Sequence, residues 1–299
     1  MVTGKGGVGK STFVACLALL SARRGDKTLV CELNTHEQVS RLLGHSPAGS
    51  ELRKLEDNLW AVNIEPERAL EEYGLMKLRF QSFFRLVFKN PLVSALVRFI
   101  PGLNDLLMLG KAFNHEREKD DDGHPVWDRI IIDAPATGHS LTFFRLPKVI
   151  SKAVPSGNMH EESVEMWRLL TDQNRTGVHL VALPEELPVQ ETIELHERLT
   201  AELELPVSSI VVNQMPQHSK MISDHTLMKA WTKEPVCQEM KALWQASQVR
   251  ESLVQQASMH RKHLNDLAPL IELPVRYSEH FGRSDIEALA NKILESCHE

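Results

Sequence analysis

Gly4-Lys5-Gly6-Gly7-Val8-Gly9-Lys10-Ser11-Thr12 decides the fold of this 299-residue chain. The run satisfies G-x-x-x-x-G-K-[ST], and an apolar helical segment at residues 13–20 follows it at once. Glycines let a backbone wrap a phosphate so that several N–H groups point inward, and the N-terminus of the following helix adds its partial positive charge. Lys10 would neutralise the β and γ phosphates of a nucleotide, and the Ser11 hydroxyl would ligate Mg²⁺. Gly4, Lys5, Gly6, Gly7, Val8, Gly9, Lys10, Ser11 and Thr12 are therefore read together as a site for ATP or GTP. Only Met1, Val2 and Thr3 stand ahead of the loop, which normally hangs from a buried strand of about five residues. Either the first strand is short or a few residues belong before it.

Outward from the loop, apolar β-branched runs recur at residues 28–32, 59–64, 129–133, 178–183 and 209–212, separated by helix-length segments. They read as buried strands of a doubly wound, mostly parallel α/β sheet, the P-loop NTPase class. Between residues 70 and 113 the period changes to a helical one. Phe80, Phe83, Phe84, Val87 and Phe88 share one helical face, and Leu92, Leu96, Phe99 and Ile100 continue it beyond Pro91. The expected organisation is one P-loop domain over 1–299 with a helical subdomain inserted at 69–115. Its apolar face either packs on the rest of the chain, as most such stripes do, or offers a groove to a partner. The polar run 116–123 reads as a solvated loop. Ser284 followed by Glu287 reads as a capping box that opens a last helix to about Ser296.

Residues 127–133, Trp-Asp-Arg-Ile-Ile-Ile-Asp, form an apolar strand ending in an acid. Alone, Asp133 would cap the next turn. Coupled to the phosphate loop, it reads as the aspartate that holds the Mg²⁺ hydration shell, so Ser11 and Asp133 form the candidate metal set.

Carrying two lysines, Lys5 and Lys10, the loop resembles the deviant phosphate loop of the nitrogenase iron protein and the MinD/ParA ATPases. That resemblance implies a nucleotide-sandwich dimer, in which Lys5 reaches the partner subunit's nucleotide as an arginine finger does. Asp133-Ala134-Pro135-Ala136-Thr137-Gly138-His139-Ser140-Leu141 narrows the match, because it resembles switch II of the ArsA-type ATPases. That family includes the arsenite-pump ATPases and the guided-entry ATPases that carry tail-anchored membrane proteins. The resemblance implies that Gly138 donates its N–H towards the γ-phosphate and that His139 transmits nucleotide state to the helical region. Residues 64–73, 101–111, 183–192 and 210–214 resemble the family in the same order. Residues 183–192 correspond to a loop that contacts nucleotide across the dimer. Asn213 corresponds to the residue that reads adenine, which suits an amide carrying both a donor and an acceptor. A weaker match runs on to Pro274, which is counted with the nucleotide-binding residues. ATP and Mg²⁺ are the implied cofactors. The implied partners are a second copy or a paralogue, and a hydrophobic client segment or a membrane protein.

One departure concerns catalysis. Where the family has the aspartate that polarises the attacking water, this chain has Asn34, within Cys31-Glu32-Leu33-Asn34-Thr35-His36-Glu37. An amide can position a water but cannot accept its proton. The catalytic set is thus Lys5, Lys10, Asn34 and Asp133, and hydrolysis should be slow or partner-dependent unless Glu32 or Glu37 substitutes. Two rivals stay open: the energising ATPase of an anion or metalloid transporter, and a nucleotide-gated scaffold paired with a paralogue.

Composition excludes several classes. With 34 Lys+Arg against 40 Asp+Glu and a net charge of −6, nucleic acid is not an expected partner. Cys16, Cys31, Cys237 and Cys297 form no CxxC pair, which argues against a disulfide scaffold, a zinc clamp or a thiol cluster for metalloids and fits a reducing cytoplasm. Cys16 and Cys31 read as small core residues. His260 and His263 lie three apart on a probable helix with no further ligand at metal spacing. The most apolar stretch, 86–109, is broken by Lys89, Pro91, Arg98, Pro101 and Asp105, so no membrane span is expected.

Overall fold

The structure, a computed structural model, describes residues 1–33, 37–66, 68–69, 103–218 and 238–296. Its strands are β1 Val2–Gly4, β2 Thr28–Glu32, β3 Arg53–Glu56, β4 Leu59–Asn63, β5 Arg129–Ala136, β6 Val178–Ala182, β7 Val207–Met215 and β8 Leu270–Pro274. The helices are α1 Lys10–Arg23, α2 Val39–Leu42, α3 Leu103–Arg117 and α4 Thr137–Ala153, then α5 Asn158–Thr171, α6 Glu186–Glu197, α7 Gln238–Lys262 and α8 Arg283–Ser296.

The strands form one sheet in the order β3-β4-β2-β5-β1-β6-β7-β8. Every neighbouring pair is parallel except β3 with β4. Two strands escape sequence reading. β3 (RKLE) is mostly charged, as suits an exposed edge. β8 (LIELP) lies at the other edge and is short enough to be lost among its neighbours. The first strand spans three residues at the centre of the sheet.

Side chains alternate between the two faces. Leu29, Cys31, Leu180, Ile210 and Val212 join the core under α3, α4, α5 and α6. Val30, Ile131, Val181 and Val211 join the core under α1 and α8. Each buried aliphatic side chain contributes about 1.5–3 kcal/mol. A one-residue slip would move a whole strand's set to the wrong face, so burial alone fixes the register. Cys16 and Cys31 are fully buried core residues, as their sequence context suggests. Cys237 and Cys297 lie outside the described residues, as do Phe80 to Ile100.

Three local expectations need correction. First, β5 does not end at Asp133 but runs on to Ala136, and α4 begins at the next residue. Second, the last helix starts two residues earlier than a Ser284 cap implies and uses different caps. The Gly282 carbonyl accepts the N–H groups of Asp285 and Ile286, while Asp285 Oδ2 accepts the Gly282 N–H at 3.2 Å. That is one half of a capping box, with Asp285 in the role assigned to Glu287 and a glycine cap that offers no side chain for the other half. Glu287 instead pairs with Arg23 and Arg283. Third, the run 116–123 is not simply a solvated loop. Its first residues end α3, Glu116 pairs with Arg175, and the Glu118 carboxylate accepts the Trp127 indole N–H at 2.8 Å and pairs with His115. His260 lies in the last turn of α7, and His263 falls beyond it.

Candidate nucleotide site

Among the described residues, the fold brings Lys10, Ser11, Asp133 and Asn213 to the carboxyl ends of the central strands. In an open α/β sheet a ligand binds where the strand order reverses. Here that point is β1, flanked by β5 on one side and β6 on the other. The phosphate loop leaves β1 at Gly4 and enters α1 at Lys10, with Gly9 as the N-cap in the left-handed region at φ 94°. Because Glu32, Asp133 and Asn213 share the parity of Val30, Ile131 and Val211, all three emerge on the face covered by α1. A Cβ added at Gly6 or Gly7 would meet nothing within 4 Å, so the hollow of the loop is open to a phosphate.

Ser11 and Asp133 meet inside this site. The Ser11 hydroxyl donates to Asp133 Oδ2 at 2.6 Å. Asp133 is buried, and its Oδ1 has no hydrogen-bond partner among the described residues. Burial pushes the Asp133 carboxyl above the ordinary carboxylate range, against the opposing Ser11 bond and Lys10 charge. A buried carboxylate oxygen beside a hydroxyl is a donor set for a hard divalent cation, and Mg²⁺ fits these two residues. Lys10 Nζ donates to the Lys5 carbonyl at 3.0 Å, within its own loop. Burial lowers the Lys10 pKa, with Asp133 opposing.

Asn213 lies beneath the loop. Its Nδ2 donates to the Val8 carbonyl at 2.9 Å, and the residue is buried. The amide that sequence resemblance assigns to adenine is thus spent, at least through its nitrogen, on holding the loop. Pro274 stands beside it at the sheet end, paired with Met215 across β7 and β8. Gly138 lies in the first turn of α4, where helical N–H groups have no intrahelical acceptor. Residues 183–192 are mostly not a loop, since α6 begins at Glu186. Asn34, with Thr35 and His36, lies outside the described residues.

Glu32 and Glu37, offered as substitute bases, are both occupied elsewhere. Glu32 Oε1 accepts the N–H groups of Gln38 and Val39 at 2.7 and 3.0 Å, capping α2. The Glu37 carboxylate accepts those of Ala48 and Gly49. Burial raises the Glu32 pKa to about 7 from 4.5, with Asp133 and Glu37 adding to the shift and the two backbone bonds opposing it. The folded pKa lies above the unfolded one, so the folded state holds the extra proton between those values. Stability associated with Glu32 is present below about pH 4.5 and is lost as pH rises through about 7. Glu32→Gln keeps an acceptor for both N–H groups and removes the titration. Denaturant unfolding at pH 5.5 and 8.5 should show the wild type losing about 1–3 kcal/mol more than the variant across that interval. Equal losses would mean that Glu32 is not buried as described.

Comparison with known proteins agrees with this geometry. The family model described as anion-transporting ATPase, the ArsA ATPases, matches residues 1–165 and 155–273. The chain belongs to that family. Among curated relatives of this ArsA family, a putative ATPase, Mb3704, of Mycobacterium bovis and the ATPase BagA of Mycobacterium tuberculosis are each 36% identical over 224 residues. Each alignment covers 73% of this chain, and the chain spans 65% of the length of these mycobacterial relatives. The ATPase GET3 of Eremothecium gossypii is 25% identical across 91% of this chain and 80% of its own.

Sequence reading of this ArsA-family site missed one partner. Glu191, within the quoted 183–192 segment, forms an ion pair with Lys5 at 2.8 Å. Glu32, named from sequence as a possible substitute base, is instead held by the Gln38 and Val39 N–H groups, which the sequence did not show.

Proposed function

We propose that this chain binds MgATP in the Gly4–Thr12 loop, hydrolyses it, and closes face to face on a second copy or a paralogue while the nucleotide is bound. The observation that carries this reading is the Ser11–Asp133 pair, with one buried Asp133 oxygen left without a hydrogen-bond partner among the described residues. Bound Mg²⁺ would neutralise charge building on the phosphates. Lys10 would leave the Lys5 carbonyl for the β and γ phosphates, the loop N–H groups would cradle them, and Gly138 would donate to the γ-phosphate. Asn213 would keep the loop in shape while it and Pro274 face the base. Lys5 would complete the partner's site. The compartment proposed is the cytoplasm; among the described residues no helix is long and apolar enough to cross a membrane.

The test is ATP turnover together with sizing of wild type and Lys5→Ala, each with ADP and with a non-hydrolysable analogue. Wild type should dimerise with the analogue, whereas Lys5→Ala should stay monomeric and lose about 10³-fold in turnover. If both properties survive in Lys5→Ala, the trans lysine is wrong. Asn34 predicts a low basal rate, and Asn34→Asp should raise kcat by about 10²-fold by restoring a proton acceptor. An unchanged rate would place the limitation elsewhere.

A client is proposed to bind through the helical subdomain at 69–115. The described end of that segment is core, since Leu106, Leu107, Met108 and Leu109 are buried. An apolar tail-anchor peptide should be retained in one nucleotide state and released in another; no retention in any state argues against a client. The transporter reading gains nothing from Cys16 and Cys31. Burial raises both thiols, Cys16 to about 12, and a thiol held protonated is a poor soft-metal ligand.

A further inference from the structure

We propose that Glu191 is a positioning residue that holds Lys5 in cis and thereby restrains the sandwich dimer until nucleotide arrives. Lys5 is fixed at two points. Its ammonium donates to Glu191 Oε1 at 2.8 Å, and its carbonyl accepts Lys10 Nζ at 3.0 Å. The second Glu191 oxygen, Oε2, is buried and has no hydrogen-bond partner among the described residues. Lys5 is thus the cation that compensates this carboxylate, and withdrawing it leaves Glu191 underpaired. Glu191 stands on α6, directly after β6, so the pair ties the phosphate loop to the element beside it in the sheet.

Nucleotide acts on the first of these two points. A phosphate in the loop draws Lys10 off the Lys5 carbonyl, which frees the backbone of residue 5 to turn. The Glu191 pair is then what still keeps the Lys5 side chain on its own subunit. Both partners are about one-third exposed, at 38% and 34%, so each pair resists by only about two- to fivefold. Two such pairs must open for each dimer formed, and their effects multiply. The restraint is weak enough for nucleotide to overcome, and until then it biases the equilibrium towards the single chain.

This inference rests on the sandwich reading above, and the variants separate the two. Dimerisation is measured by sedimentation across protein concentration with a non-hydrolysable ATP analogue and Mg²⁺, using wild type, Glu191→Gln, Lys5→Ala and the double variant Lys5→Ala/Glu191→Gln. Glu191→Gln should shift the dimerisation midpoint to about fourfold or more lower protein concentration. The double variant should remain monomeric, because the freed lysine is gone. If Lys5→Ala dimerises as wild type does, the sandwich reading fails. If Lys5→Ala is monomeric but Glu191→Gln leaves the midpoint unmoved or raises it, the cis restraint is overturned and the sandwich stands. If the double variant dimerises, the gain came from removing a surface charge, which also overturns the restraint. Unchanged circular dichroism of Glu191→Gln, with Glu191→Ala as a second variant, guards against a folding defect.

Discussion

Asp133→Asn should lower MgATP turnover by about 10²- to 10³-fold without weakening the fold. The substitution keeps an oxygen for the Ser11 hydroxyl, whose bond to Asp133 Oδ2 is 2.6 Å long. It removes the charge that would hold Mg²⁺, which the neutral Ser11 hydroxyl does not supply. For stability the sign reverses. Asp133 is a buried carboxylate whose ionised form is disfavoured by desolvation, so a neutral side chain of the same shape relieves a cost. Thermal unfolding of the ligand-free variant at pH 8 should therefore come at the same or a higher temperature than in the wild type. Loss of activity with gain of stability marks a residue retained for its chemistry rather than its packing. Turnover within tenfold of wild type, or a clear fall in unfolding temperature, would show Asp133 to be structural.

The central strands and the loop were legible in the sequence because each signal there is local. A buried parallel strand needs apolar β-branched residues on both faces, and residues 28–32 and 178–183 show them directly. A phosphate loop needs its glycines in one unbroken run. What stayed hidden depends on contacts between distant residues. Glu118 looks solvated beside Asp120, Asp121 and Asp122, and only the fold sets it against the Trp127 indole. Asp285 and Glu287 are two acids in the same helix turn, and the backbone of Gly282 decides which of them caps it. The Lys5–Glu191 pair spans 186 positions. Sequence resemblance reached both residues but could not report that they touch. Asn213 shows the same limit from the other side. Its identity was readable, while its bond to the Val8 carbonyl was not.

Gly4→Ala should cost about 3 kcal/mol or more, the largest effect on folding expected of any single methyl group in the site. Gly4 ends β1 at φ 152°, and a Cβ there would be driven into the Val181 carbonyl of β6, with the carbonyl carbon at 3.2 Å and the Val181 nitrogen at 3.3 Å. Those atoms are backbone and cannot swing aside. Relief requires β1 to leave β6, breaking the pairing of Val2, Thr3 and Gly4 with His179, Leu180 and Val181. Since β1 has three residues and sits at the centre of the sheet, it has no spare length over which to spread the strain. Against a total stability of about 5–15 kcal/mol, the unfolding temperature should drop by roughly 10 °C. Gly9→Ala provides the contrast. It too has positive φ, but the atom its Cβ meets is Asn213 Nδ2, the end of a side chain that can rotate. Rotation gives up the bond to Val8 and leaves the sheet intact. Gly9→Ala should therefore unfold within about 2 kcal/mol of wild type yet bind nucleotide at least tenfold more weakly, as measured by titration calorimetry with MgADP. If the two alanine variants lose stability equally, the sheet is not what makes Gly4 irreplaceable.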